Sequence, residues 1–402
     1  MKKLLKKLLC VILATTLTLA VGIGFAGCND GNQLTPEQIE QILEARRDKV
    51  EQYMRKQVSI VWKAGANITY SIDSGNKTFN IVEGQYYLGM PYSYGGKSLS
   101  TFQDWLSEPD EKGVATLQLT DYDVYAQGNN FGNDCSSAIC LAWGTINASI
   151  KDGSENTRYM SVNNGYLRVG DYESDPTTIE GTKSVCMENG RETMFKAYAQ
   201  LKKSDVVISR NGSGHVRLIV STEIKYKPDG SIDPYLSKIV CLEQTRSLFG
   251  QVYYNEELGE DLNYIGGVDV SYTFDRLFQD GYVPITCKEL RDASDIPEEN
   301  TTDSIKNPSI DDLFTGTITS EYMMEKVKVE ICDANSTVQS LSKNVKRYSY
   351  YKFEMNDFVA GESLMKGEID ISALESGEYT CKVTAYLVTG KEAIIRNFNF
   401  TK

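Results

Sequence analysis

The chain has 402 residues and carries a net charge of −13 at pH 7, a balance that argues against nucleic acid as a partner because phosphate contacts need clustered cations. With one histidine, any metal motif built on two histidines is excluded, and the nine cysteines show no CxxC pair or regular spacing of a zinc site or disulfide framework. The length suits two or three domains.

The opening "MKKLLKKLLCVILATTLTLAVGIGFAGC" places Lys2, Lys3, Lys6 and Lys7 before an apolar stretch that is uncharged as far as Gly27, the layout of a secretory signal peptide over residues 1–27. Its end, "FAGC", resembles a bacterial lipobox. That likeness implies that Cys28 is the first mature residue and the lipid attachment site, with the rest of the chain outside the cytoplasm and tethered to a membrane. An uncleaved anchor is the alternative, since the apolar run is long enough to span a bilayer. Cleavage removes four positive charges and takes the net charge from −13 to −17. Cys10 leaves with the signal and Cys28 is acylated. Seven cysteines then remain, so at least one thiol is expected to be free.

Residues 28–59 read as a short polar tether and a helix. In "TPEQIEQILEARRDKVEQYMRKQV", Thr35 is an N-cap, Pro36 suits the first helical position and Gln38 completes a capping box. Ile39, Ile42, Leu43, Val50, Tyr53 and Met54 recur at helical spacing, with Arg46 interrupting the stripe. Residues 60–292 mix short alternating strands with helical pieces, an α+β texture. Residues 293–312, polar and acidic with two prolines, read as a linker. From 313 to 402 short strands alternate with turn residues, which suggests an all-β sandwich. Cys332 and Cys381 could bridge its sheets, but if Val327, Val329 and Ile331 point inward then Cys332 points outward.

The chemistry centres on "FGNDCSSAICLAWG". Asn133 and Asp134 are capping residues, and Ala138, Ile139, Ala142 and Trp143 form an apolar helical face behind Cys135. A thiol in the first helical turn is favoured as the thiolate, the form that attacks a carbonyl. A buried core cysteine is the plain alternative. His215 follows a Gly-Ser-Gly turn at the start of an alternating strand, "SGHVRLIV", where it can face a pocket and serve as the base.

A third group that fixes the imidazole can be placed by counting. In "KPDGS", Pro228 and Asp229 suit a type I turn and Gly230 the left-handed position after it, a three-residue hairpin loop that pairs Lys227 with Ser231. The count sets Glu243 opposite His215, on the same face. A one-residue slip, for instance at Pro234, presents Gln244 instead.

These residues together, "GMPYSYGG", "NDCSSAI", "LKKSDVV…GHVRLIV" and "LEQT", resemble the NlpC/P60 and CHAP group of papain-like cysteine peptidases and amidases over roughly residues 84–250. The resemblance implies a small α+β domain with the cysteine helix packed on an antiparallel sheet bearing the histidine, followed here by an immunoglobulin-like β-sandwich of the kind appended to bacterial surface proteins. It implies Cys135 as nucleophile, His215 as base and Glu243 as the acidic third member, with Tyr92, Asp134 and Ser136 as substrate-binding groups. It also implies amide-bond cleavage in peptidoglycan peptides, without metal or organic cofactor. The chain departs from the pattern where Lys203-Ser204-Asp205 replaces Pro-Gly-Asp, Ser137 replaces a glycine and Thr245 replaces an asparagine. The competing reading is a catalytically inert surface lipoprotein that uses the same fold and its β domain for binding or adhesion.

Overall fold

The long N-terminal helix α1 (Pro36–Ser59) starts as its sequence predicts. Gln38 N donates to Thr35 Oγ1 at 3.3 Å and Thr35 N to Gln38 Oε1 at 2.9 Å, so two otherwise orphaned donors are satisfied reciprocally. These contacts come from a computed structural model, which describes residues 34–72, 77–126, 128, 130–146, 156–247, 249–265, 267–293, 299–345, 349–359 and 365–402. The signal segment and Cys28 lie outside the described residues.

Leu43, Val50, Met54 and Val58 form the buried face of α1. Arg46 does not break that face, as the sequence suggested, but belongs to it. Its Nη1 donates to the carbonyls of Glu289 and Asp292 at 3.0 and 2.7 Å, while Arg47 Nη2 donates to Leu290 O at 2.6 Å. The two guanidiniums thereby supply donors to carbonyls around the turn Lys288–Leu290.

The architecture is α+β, with sheets dominant and few helices. One six-stranded sheet positions the site. Its strands are β1 (Tyr166–Arg168), β2 (Val206–Asn211), β3 (Ser213–Glu223), β4 (Lys238–Glu243), β5 (Gly267–Thr273) and β6 (Val283–Cys287), in the order β5-β4-β3-β2-β6-β1 with every pairing antiparallel. Against β3 packs the helix α2 (Cys135–Gly144), all ten of whose residues are buried. Its run Ala-Ile-Cys-Leu-Ala-Trp is apolar on every side, so it sits inside the protein rather than on a face of it. Burying Ile139, Leu141 and Trp143 contributes about 2 kcal/mol each. Trp143 Nε1 donates to Ser204 O at 2.9 Å, which ties the helix to the turn before β2. That turn is where Ser204 replaces a glycine of the resembled pattern, and Ser204 adopts φ 68°, the left-handed conformation a glycine would take without strain.

A separate five-stranded sheet joins Val61–Ala64, Tyr86–Leu88, Ala115–Leu117, Val252–Asn255 and Glu260–Tyr264. Its core gathers Trp62, Tyr70, Phe79, Phe102 and Phe131.

The C-terminal region holds two antiparallel sheets. Three strands, Thr301–Asp303, Thr317–Ser320 and Lys352–Glu354, form one. Met324–Cys332, Thr337–Asn344, Met365–Glu368, Glu378–Leu387 and Glu392–Thr401 form the other. Residues 299–312, expected to belong to a linker, are instead built into this region. The buried Arg396 draws them in, with Nε on Asp303 Oδ2 at 2.6 Å and Nη1 on Asp312 O at 2.7 Å. Val327, Val329 and Ile331 are fully buried and Cys332 is half-exposed, as the alternation predicts. Cys381 lies opposite Ile331 and is buried, so the two thiols sit on different faces and are not bonded. All seven cysteines among the described residues are free.

From Glu40 to Lys402 the chain is one compact unit. Buried residues of α1, α2, the six-stranded sheet and both C-terminal sheets share a single core. Tyr53 on α1 donates to Glu325 Oε1 at 2.7 Å, Lys326 pairs with Asp104 at 2.9 Å, and Tyr350 donates to the carbonyl of Gly96. Gly144 closes α2 where a Cβ would come within 2.8 Å of Met323 Sδ.

Candidate active site

Asp134 is the N-cap of α2. Its Oδ1 accepts from Ser136 N at 2.9 Å, Ser137 N at 3.0 Å and Ser136 Oγ at 2.6 Å, and Ser137 Oγ returns the favour by accepting from Asp134 N. Such a cap is worth about 1 kcal/mol. The Ala138 N–H is taken by Asp134 O. Among the described residues the Cys135 N–H is then the donor left open at the helix start, directly beside the thiol. Cys135 occupies the first helical position and is 4% exposed.

His215 stands near the start of β3, opposite Ser209 on β2. Its imidazole faces the same cleft as the Cys135 sulfur, close enough for the sulfur to act on its charge. Its Nε2 lies 2.5 Å from Glu243 Oε2, which leaves Nδ1 as the nitrogen available to the sulfur. Burial works to lower the imidazole pKa, but the sulfur and the Glu243 carboxylate outweigh it and raise it to about 9. Burial likewise opposes ionisation of Glu243, and hydrogen bonding and charge from His215, with Arg217 and Tyr272, bring its carboxyl down to about 2.

Glu243 reaches His215 by a register other than the one counted. At the hairpin tip Lys227 N donates to Ser231 O at 2.8 Å and Tyr226 bridges Ile232, with Gly230 at φ 82°, as expected. A turn at Asp233–Ser237, closed by Ser237 N on Asp233 O at 2.8 Å, then adds three residues to the return strand, so Glu223 faces Lys238. A bulge at Val220 gives one back, and Leu218 faces Leu242. Continued one step, this pairing sets Arg217 opposite Glu243, a net shift of two residues. An even shift keeps each side chain on its face, and diagonal neighbours remain within reach of long side chains. Gln244, the reserve candidate, points the other way. It is fully buried, and its Nε2 donates to Met90 O at 2.7 Å, so it holds the segment before Tyr92 rather than the imidazole.

Tyr92 is brought to the site by an approach of two backbones. Ser93 N donates to Asn133 O at 3.0 Å and Asn133 N to Pro91 O at 3.1 Å. Gly132 permits this, since a Cβ there would fall 1.7 Å from Pro91 O. Burial, reinforced by Cys135 and Asp134, pushes the Tyr92 phenol far up, so it stays a protonated donor. Gly214 has a parallel role beside His215, where a Cβ would meet Thr157 Oγ1 at 2.2 Å.

Cys135, His215, Glu243, Tyr92, Asp134 and Ser136 all line one cleft of about 750 Å3. Three further tyrosines and three arginines border it, together with serine, threonine and asparagine, and no aliphatic side chain appears among its described lining residues. Sequence reasoning missed Arg217, Tyr272 and Tyr282. Arg217 Nε donates to Glu243 Oε2 at 2.9 Å, and Tyr272 OH donates to Glu243 Oε1 at 2.7 Å. The Arg217 guanidinium lies 3.8 Å from the Tyr272 ring centroid and 4.3 Å from that of Tyr282. A signal for Arg217 existed, since it stands two residues after His215 on an alternating strand. For the tyrosines, on β5 and just before β6, local sequence held none. Thr245, where the resembled pattern has asparagine, lines the cleft and donates to Ser247 Oγ at 3.2 Å. Among the described residues no three His, Cys, Asp or Glu side chains assemble as a metal-ligand set.

No protein-family model matches the chain, and no curated protein matches it.

Proposed function

We propose that the protein is a cysteine hydrolase that cleaves amide bonds by acyl transfer, of the NlpC/P60 or CHAP type of papain-like enzyme. The observation that carries this reading is the meeting, in one cleft, of the Cys135 sulfur at the start of a buried helix and the only imidazole of the chain, itself held by Glu243. In the forward step Cys135 Sγ attacks the amide carbonyl carbon and the oxygen takes up negative charge, accepting from the Cys135 N–H. The His215 imidazolium then gives its proton to the leaving amine as the C–N bond breaks, leaving a thioester on Cys135. Neutral His215 next takes a proton from water, whose oxygen attacks the thioester, and the acid and the free thiol are released. Glu243 holds the ring in the tautomer with Nε2–H and offsets its charge throughout.

A cleft walled by tyrosine, arginine and small polar side chains suits a polar substrate rather than an acyl chain or an apolar side chain. Peptidoglycan peptides are the substrate class we propose, on the resemblance of residues 84–250 together with that lining. Asp134 and Ser136 are proposed to meet a free amino terminus while serving as the cap. The leading residues, with Cys28 as the lipid-attachment site, support a membrane-anchored enzyme outside the cytoplasm, and the C-terminal sheets are proposed to be an immunoglobulin-like sandwich.

The test is a mass-resolved digest of purified peptidoglycan by the full chain and by its Cys135→Ala variant. New amide-cleaved products from the wild type alone are expected. Equal products from both, or none from either, would remove the assignment and leave an inert envelope protein.

A further inference from the structure

We propose that Arg217 is a positioning residue for the Cys135–His215 pair: it shares the single oxygen Glu243 Oε2 with the imidazole and is itself held in place between the ring faces of Tyr272 and Tyr282. The geometry is specific. Nε of Arg217 and Nε2 of His215 meet the same carboxylate oxygen, at 2.9 and 2.5 Å, while Tyr272 OH occupies the other oxygen at 2.7 Å. Glu243 is 3% exposed and Arg217 8%, so these charges act on one another through little water.

A carboxylate held by one flexible partner could swing between rotamers, and the imidazole with it. Here three donors from β3 and β5 fix it, and the planar guanidinium between two aromatic faces cannot easily turn. Arg217 also brings a second positive charge to the oxygen that supports the imidazolium. It therefore limits how strongly Glu243 holds the proton on His215 and sets the pH at which that proton is lost.

The other titratable groups facing this pair are few. Cys135 meets the imidazole from α2, Cys241 lies on β4 near Glu243 and Arg217, and Tyr282 faces Arg217. Asp134 and Tyr92 stand beside Cys135, and Arg246 acts on Tyr92. Cys241 and the tyrosines are pushed up by burial, so none of them changes charge near neutral pH. Arg217 is the cation that shares Glu243 with the imidazole.

Because the chain has one histidine, its imidazole can be followed without ambiguity. The experiment is an NMR titration of the full chain, made without a histidine tag and labelled at histidine, for the wild type, Arg217→Gln and Arg217→Lys. Arg217→Gln is expected to raise the His215 midpoint by about one pH unit, and Arg217→Lys to leave it within a few tenths. The alkaline limb of kcat/KM should move with it, and kcat should fall more than KM rises. If Arg217→Gln does not fold, Tyr272→Leu, which removes one ring face and one donor to Glu243, must shift the midpoint in the same direction. A midpoint unmoved in a folded variant overturns the proposal. The role described rests on the hydrolase reading, but the titration needs no substrate. A shifted midpoint in a protein that hydrolyses nothing would sink that reading alone, and an unshifted one in an active enzyme would sink this inference alone.

Discussion

His215 and Glu243 meet diagonally across β3 and β4, with Nε2 2.5 Å from Oε2, rather than directly opposite one another. Because Glu243 supplies both a hydrogen bond and a charge to the imidazolium, Glu243→Gln keeps the first and removes the second. The alkaline limb of activity, expected near pH 9 in the wild type, should move down, and kcat should fall by roughly 10²-fold. A pH profile of kcat/KM for both proteins checks this. An unchanged limb would mean that Glu243 acts only as packing.

The two shifted groups also shape stability. His215 is raised from 6.5 to about 9, so its contribution is complete below pH 6.5 and is lost as pH rises through about 9. Glu243 is lowered from 4.5 to about 2, so its contribution is complete above pH 4.5 and is lost as pH falls toward 2. Thermal unfolding across pH should therefore show these two terms together only between about 4.5 and 6.5, and Glu243→Gln should flatten both edges.

How much of this was legible in the sequence differs from residue to residue. The cap at Asp134, the helix behind Cys135 and the hairpin tip at Pro228–Gly230 are local features, each set by a few adjacent side chains. Glu243 was identified although the counted register was two residues off, because faces in a sheet depend only on whether a shift is odd or even. The turn at Asp233–Ser237 and the bulge at Val220 depend on contacts distant in sequence, such as Asp275 N on Pro234 O at 3.0 Å. The same holds for Arg46, whose partners lie more than 240 residues away and turn an apparent interruption into packing. Tyr272 and Tyr282 reach the site only through the order of strands in the sheet.

Asp134 has two proposed duties that substitution can separate. Asp134→Asn keeps an amide oxygen for the Ser136 and Ser137 N–H groups, whereas Asp134→Ala removes it. Alanine should cost about 1 kcal/mol in chemical unfolding and asparagine a few tenths. If the carboxylate also receives a substrate amino group, asparagine should raise KM for peptides with a free amino terminus and leave N-acetylated peptides unaffected.

Gly132→Ala should destabilise the protein by about 2 to 3 kcal/mol, since its Cβ would lie 1.7 Å from Pro91 O and force apart the backbones that bring Tyr92 to Cys135. Gly113→Ala is the control. It has open space and only a positive φ of 77°, so it should cost about 1 kcal/mol. Thermal melts of both compare the two effects, and equal losses would mean that the close approach is not needed.

The C-terminal sheets share a core with α1 and α2, Tyr53 bonds to Glu325 within them, and Gly96 accepts from Tyr350 in the turn before the strand Lys352–Glu354. A chain ended at residue 293, before the first strand of this region, should lose solubility or melt well below the full chain. An unchanged melting temperature would show the region to be a separable module.

The most direct measurement is the titration of the sole imidazole in the wild type and in Cys135→Ala. If His215 and Cys135 form the reactive pair, the wild-type midpoint lies near 9 and falls by at least about one unit when the sulfur is removed. A midpoint near 6.5 that is the same in both proteins would contradict the pairing, and with it the acyl-transfer mechanism.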